Sequence, residues 1–562
     1  MHPLVRVTCR SILAFLLGGL ALCKAASPEA DLIVTNAKIW TGERSHPEVE
    51  ALVVIGERIV ATGSHREALH WQGSRTRIFD AHGGRIVPGF NDAHVHFADG
   101  GASLDAVQLN DAHDAREFVS RLAAYARTRA PGQWILAGEW DETKWPSAEL
   151  PTRQMIDAVT PNNPVAIDRY DGHMVLANSL ALAQAGIDAN TPDPDGGIVV
   201  RDATGQPTGA LKDAAIPLLT RAIPNKSHAE RRAAIERALQ HAAALGVTSV
   251  QDMNPAYADI GIYSELLREH KLTTRIYVAP AIATVEDQAK LDLGHGFGSS
   301  FLRLGALKAY ADGSLGSRTA YFFEPYTDQA DNRGLLADTM HPISRTRDYF
   351  LQADDATLQV CTHAIGDAAI STVLDLYEDV ARQHGAKDRR WRVEHAQHMA
   401  AKDFERFATL DVIASMQPYQ AIDDGRWADS RIGTDRAHRT YAFRTFLDHH
   451  VHLAFGTDWP VVPLDPMLGL YAATTRATLD GRHPEGWIPE QKLTIEEALA
   501  TYTAGSAYAE FQDTDKGTLA AGKLADFVLL NEDVLVVPAS HLPRVRVIRT
   551  WVGGREVYAP TR

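Results

Sequence analysis

Through the middle of the chain, short apolar runs alternate with longer stretches in which apolar residues recur every three or four positions. The short runs are GFNDAHVHF, VTSVQDM, TTRIYVAP, LRLGALKAY, LQVCTHAIGD, RRWRVEHAQ, DVIASMQP and HLAFGTDWP. Apolar runs of this length, bounded by turn-forming and polar residues, predict strands. The segment HAERRAAIERALQHAAAL stops at Gly246, and DAAISTVLDLYEDVARQHG carries apolar positions at helical spacing up to a closing glycine. Both patterns predict helices with a defined stop. Eight strands in such a rhythm predict an α/β fold of the (β/α)8 TIM-type barrel, with functional side chains at the C-terminal strand ends.

Two regions break the rhythm. DLIVTNAKIWT, ALVVIGERIVATG and TRIFDAHGGRIVP near the start resemble DFVLLN, VRVIRTWVGG and REVYA near the end. Short β-runs at both ends need partners to bury a face, which predicts one discontinuous small β-sandwich over 26–88 plus 510–562. The barrel then takes 89–99 plus 228–509. Residues 100–227 exceed a simple strand connection and predict an inserted α/β subdomain near the barrel mouth.

Composition narrows the class. The 562 residues carry 56 basic and 71 acidic side chains, a net charge of −15. Nothing supplies the basic surface that phosphate contacts need, so a nucleic-acid partner is not expected. Arg6 and Arg10 precede SILAFLLGGLAL, and small residues follow to Ala25 and Ala26. That order predicts a signal peptide over 1–25 and an exported, periplasmic or secreted protein. The apolar run is short for a span, so stable membrane insertion of the mature chain is not expected. Cys9 and Cys23 lie in the leader, which leaves Cys361 as a buried small hydrophobe rather than half of a disulfide.

Candidate chemistry collects at the strand ends. His94 and His96 sit two apart on a strand, so both imidazoles face one side and can grip one metal ion. His363 ends LQVCTH, His395 ends WRVEH and Asp458 ends LAFGTD. Four histidines and an aspartate on the ends of barrel strands converge on one spot. Lys308 falls on the fourth strand, where burial beside metal ions favours the neutral amine. A neutral amine reacts with carbon dioxide to give a carbamate, an anion with two oxygens able to bridge two cations. Glu394, adjacent to His395, is expected to face the helix layer by strand alternation.

The segments PGFNDAHVHF, ALKAYADGSLGSRTA, CTHAIGDAA, VEHAQ, FGTDWP and GTLAAGKLADFVLL together resemble the amidohydrolase superfamily. The resemblance covers nearly all of the mature chain, and lies in the large-insertion branch close to hydrolases similar to N-substituted formamide deformylase. It implies one or two divalent metal ions, most simply zinc, acting on a small-molecule substrate. His94 and His96 would hold the more buried ion, carboxylated Lys308 the bridge, and His363 and His395 the more exposed ion. Asp458 would be both ligand and base, and the reaction hydrolysis of an amide-like C–N bond. Deamination, or hydrolysis of lactones, carbamates or N-acyl amino acids, uses the same scaffold, and a metal-free binding protein is the non-enzymatic alternative. Trp140, Asp141 and His173 of the inserted segment are expected to line the pocket. Asp312 is either the carboxylate behind a ligand histidine or a turn residue before Gly313. Arg318 either meets an anionic substrate group or forms a simple salt bridge. A homo-oligomer is compatible with the chain.

Overall fold

The computed structural model describes residues 29–560, so the signal peptide expected over 1–25 lies outside the described residues. The architecture is α/β with mixed sheets. Two five-stranded sheets form its centre. One runs Phe297–Gly298, Leu302–Leu304, Arg275–Ala279, Val247–Met253, Phe90–Val95, and is parallel apart from the first short strand. The other is parallel throughout and runs Ala306–Tyr310, Gln359–Ala364, Arg392–His395, Ile413–Met416, Leu453–Phe455.

The two sheets meet at both edges. At one seam the Lys308 amide donates to Pro280 O (2.8 Å). At the other, Asp458 N–H donates to His94 O (2.7 Å) and His96 N–H to Trp459 O (2.8 Å). The LRLGALKAY run, expected as one strand, divides at Gly305 (φ +131°). A Cβ there would stand 2.4 Å from His295 Cα, so glycine is required for both conformation and space. The break lets one strand pair with Arg275–Ala279 on one side and with Gln359–Ala364 on the other.

Helices cover the outer faces because their sequences are amphipathic and capped. His228–Ala244 starts on a capping box in which Ser227 and Glu230 satisfy each other's backbone groups. Asp367–His384 buries Ile370, Val373, Leu374, Tyr377 and Val380 and ends at Gly385 (φ +77°). The inner faces are filled by small and medium side chains: Met253, Tyr277, Ala279, Ala306 and Cys361 form one buried cluster. Cys361 is a packed free thiol, pushed up to about 12 by burial.

Both chain ends share one sheet, since Phe527–Leu530 pairs antiparallel with Arg85–Pro88. A neighbouring four-stranded sheet, Arg58–Gly63, Ala51–Ile55, Leu32–Thr35, Arg77–Asp80, contributes to the same apolar cluster, which includes Val34, Val54, Ile86, Phe527 and Trp551. The segment after Val95 builds a separate five-stranded sheet, Gly197–Arg201, Pro207–Asp213, Met174–Ala177, Val165–Asp168, Ile135–Leu136. Two further apolar clusters pack against this sheet. Among the described residues no helix is long and apolar enough to cross a membrane.

Candidate metal centre

The strand ends of the two central sheets open into a cavity of about 450 Å³ that includes His96, Lys308, His363, His395 and Asp458 in its wall. His94 lies just beneath, fully buried. Its Nε2 is 3.3 Å from Lys308 Nζ and 3.4 Å from Asp458 Oδ1. His96 Nε2 is 3.3 Å from the same Asp458 oxygen. The His395 ring lies 4.8 Å from the His94 ring and 4.5 Å from that of His363. Donor atoms of His94, His395 and Asp458 all fall within 4.8 Å of one another, close enough to share one ion.

The outer ring nitrogens are all engaged. His94 Nδ1–H donates to Glu394 Oε2 (2.7 Å), His96 Nδ1–H to Met253 O (2.9 Å), His395 Nδ1–H to Gln417 Oε1 (2.8 Å), and His363 Nε2–H to Gly313 O (3.1 Å). Each acceptor fixes the tautomer, so the opposite nitrogen carries the lone pair a metal needs. Burial also holds His94, His363 and His395 below the ordinary imidazole value, which keeps the rings neutral. His96 goes the other way: burial lowers it, but Asp458 outweighs burial and raises it. The donor set fits a divalent transition metal: three imidazoles kept neutral, a fourth facing the carboxylate, and a buried amine beside them.

Local backbone geometry aims these groups. His395 (φ +72°), Ala396 (φ +43°) and Asp458 (φ +65°) occupy the left-handed region just where their strands end. Such positions cost about 1–3 kcal/mol each and turn a side chain out of strand register. Asp92 fixes the other side by accepting the backbone N–H groups of His94 (3.1 Å) and Thr457 (2.9 Å). Burial lowers the Lys308 pKa to about 8, against the opposing pull of Glu394 and Asp458. For Asp458 burial favours the neutral acid, but His94 and His96 outweigh it and the net direction is down.

Several sequence expectations need correction. Glu394 does not face the helices: it sits in the interior between His94 and Arg392, whose Nε donates to it at 2.7 Å. Alternation places Arg392 and Glu394 inward together, and the left-handed backbone at His395 swings that residue inward as well. Trp140 and Asp141 do not line the cavity. The Trp140 indole donates to Ile167 O (2.9 Å) inside the inserted core, and Asp141 faces Arg426 (3.2 Å) and Lys144 (3.6 Å). The residue turned to the cavity is Glu139, one position earlier. Arg318 is bound to Asp328 (2.7 Å) and does not reach the cavity wall.

His173 does line the cavity, with its Nδ1 2.7 Å from Asp213 Oδ1 and its ring 5.2 Å from that of His363. Asp312 approaches His363 Nε2 at 3.5 Å and also accepts the backbone N–H groups of Ile365 (2.9 Å), Gly366 (2.8 Å) and Tyr321 (2.8 Å). It therefore both backs a histidine and ties down the loop. Sequence reading missed Gln417 and Gln420, the latter donating to Asp458 Oδ2 (3.2 Å). Their signal was the MQPYQ segment directly after the seventh strand.

Inward-facing imidazoles and an aspartate at the ends of parallel strands, in an α/β fold, define the class of metal-dependent hydrolases. The chain belongs to the amidohydrolase family, whose sequence profile matches residues 77–558. It is 36% identical over 551 residues to Protein LONG AFTER FAR-RED 3 of Arabidopsis thaliana, covering 96% of this chain and 93% of that one. It is 29% identical over 540 residues to N-substituted formamide deformylase of Arthrobacter pascens, covering 93% and 97%. Among solved structures it is similar to an uncharacterized metal-dependent hydrolase from Pyrococcus horikoshii, with a TM-score of 0.75, 28% identity, and 91% and 99% coverage.

Proposed function

We propose that the protein is a metal-dependent amidohydrolase that cleaves a non-peptide, amide-like C–N bond in a small molecule. The observation that carries the reading is the orientation of the histidines: every outer nitrogen is held by an acceptor, the free Nε2 atoms of His94 and His96 turn to Asp458, and that of His94 also meets Lys308. His94, His96, His363, His395 and Asp458 are the proposed ligands. Lys308, carboxylated on Nζ by carbon dioxide with release of a proton, is the proposed bridge of a two-ion site, with zinc as the natural ion. Ions of this kind supply Lewis acidity, polarising a carbonyl and acidifying a water. The likeness to N-substituted formamide deformylase supports an amide-type bond.

The chain's own part in the reaction is proton handling. Asp458, steadied by Gln420, accepts a proton as water attacks the carbonyl carbon. The same carboxyl then returns that proton to the leaving nitrogen as the C–N bond breaks, yielding a carboxylic acid and an amine. The nine parallel strands of the two central sheets, sealed at both seams, are read as a closed eight-position barrel in which Leu302–Leu304 and Ala306–Tyr310 share one position, and the two terminal sheets as a β-sandwich. Export through the leader is part of the same proposal and places the substrate outside the cytoplasm.

The test is a hydrolysis screen of N-formyl, N-acyl and cyclic amides with the metal-loaded protein. The proposal expects turnover of at least one amide class, lost on chelation and regained on adding zinc. A fully metallated protein that turns over lactones or amidines but no amide overturns it.

A further inference from the structure

Behind Asp458 runs a chain of two buried amides that can be satisfied in one direction only. Gln420, in the first turn of the Pro418–Asp424 helix, donates from Nε2 to Asp458 Oδ2 (3.2 Å). Gln397 donates from its own Nε2 to Gln420 Oε1 (2.9 Å). An ionised carboxylate accepts and cannot donate, so Gln420 must present its nitrogen to Asp458 and its oxygen to Gln397. Gln397 must in turn give its nitrogen to Gln420. Its carbonyl oxygen, Oε1, is left facing away from the chain.

The backbone holds Gln397 in this pose. It follows the left-handed pair His395 (φ +72°) and Ala396 (φ +43°), and its main-chain carbonyl accepts the Tyr441 N–H (2.8 Å). Gln397 is 4% exposed, and the exposed part belongs to the cavity wall beside His395, Gln420 and Asp458. Among the described residues no donor meets its Oε1, and that oxygen is not one of the atoms sealed in the interior. It is an acceptor of fixed orientation, open to the cavity and unanswered by the protein. Water can serve such an oxygen, but a ligand that displaces the water must bring a donor or forfeit about 1–3 kcal/mol.

We infer that Gln397 contacts the substrate and selects for amides that keep an N–H, its Oε1 accepting that N–H. The inference rests on reading this cavity as the substrate's and Asp458 as the group that serves the leaving nitrogen. That nitrogen then lies on the side of the cavity where the amide chain ends. Bound substrate extends the chain to substrate N–H, Gln397, Gln420 and Asp458, every donor pointing the same way, and aligned hydrogen bonds reinforce one another. A tertiary amide has no proton to give, so it strips water from Oε1 and leaves the oxygen bare. No proton passes along the amides, and the effect is one of binding and orientation.

Titration calorimetry on the metal-loaded protein tests this with N-hexyl-N′,N′-dimethylurea, which has one N–H, and its N-methylated counterpart, which has none. The expected result is at least about five-fold tighter binding of the N–H urea by the wild-type protein, the scale of one net hydrogen bond. A smaller preference, or no binding of either probe, overturns the inference without any variant. The added methyl also takes space, so the preference is measured again in Gln397→Met, which keeps the side-chain length and removes the amide. There it should shrink at least about three-fold, and a smaller change overturns the inference. Gln397→Asn, which withdraws the carbonyl by one methylene, should shrink it likewise and serves if the first variant does not fold. All readouts are affinities, so a protein that cleaves no amide would sink the hydrolysis reading and leave Gln397 to be judged by this contrast.

Discussion

At the scale of single residues, the site depends on groups that hold other groups. Asp458→Asn keeps the shape of the side chain and removes its basicity, so turnover should fall by about 10²–10⁴-fold with an unchanged melting temperature. Turnover within a few-fold of wild type would remove Asp458 from proton transfer. Glu394→Gln tests a different link. It leaves His94 in place but weakens the acceptor that fixes its tautomer, so metal affinity should drop by about 10–100-fold in a chelator competition. Unchanged affinity would mean that packing alone orients His94. Lys308→Ala should lower the number of ions bound per chain, and full stoichiometry in the purified variant would end the bridging role. The histidines and Asp458 were legible because they end strand-like runs. Glu394 was misplaced because alternation was applied to His395, whose left-handed backbone takes it out of register. Glu139 was missed in favour of Trp140 and Asp141, since nothing in GEWDE shows which side chain turns to the cavity.

At the scale of elements, most strands and helices followed from periodicity and caps, since an apolar run between turn residues has few other ways to bury itself. The exception is the fourth run, divided by Gly305 so that it serves both central sheets. A lone glycine in a strand pattern signals such a break, yet LRLGALKAY also reads well as one strand. Gly305→Ala places a Cβ 2.4 Å from His295 Cα at φ +131°, so it should destabilise the protein by about 1–3 kcal/mol and displace Lys308 three residues on. Denaturant unfolding checks the first effect, and a variant as stable as wild type would contradict the account of this seam.

At the scale of the whole molecule, the terminal β-region is fastened to the central sheets by a buried pair. Arg275 Nε and Nη2 donate to Asp526 Oδ2 (2.7 Å) and Oδ1 (2.9 Å), and Gly553 N–H also donates to Oδ1 (2.7 Å). Asp526→Ala leaves the buried guanidinium only Ser300 O (2.9 Å) and the more distant Glu57 (3.8 Å), which should cost about 3–5 kcal/mol of stability. Calorimetric unfolding that stays within about 1 kcal/mol of wild type would show that the fastening lies elsewhere. The joining of both chain ends was legible from their similar β-runs, but not the buried Arg275–Asp526 contact, which depends on positions 251 residues apart. The central claim is that the inward-turned cluster of His94, His96, His363, His395 and Asp458 holds metal for hydrolysis. Its most direct test is elemental analysis of the purified protein alongside amide turnover before chelation, after it, and after metal is restored. The account predicts one or two divalent ions per chain, with activity that disappears and returns with them. A metal-free protein, or turnover indifferent to metal removal, would contradict it.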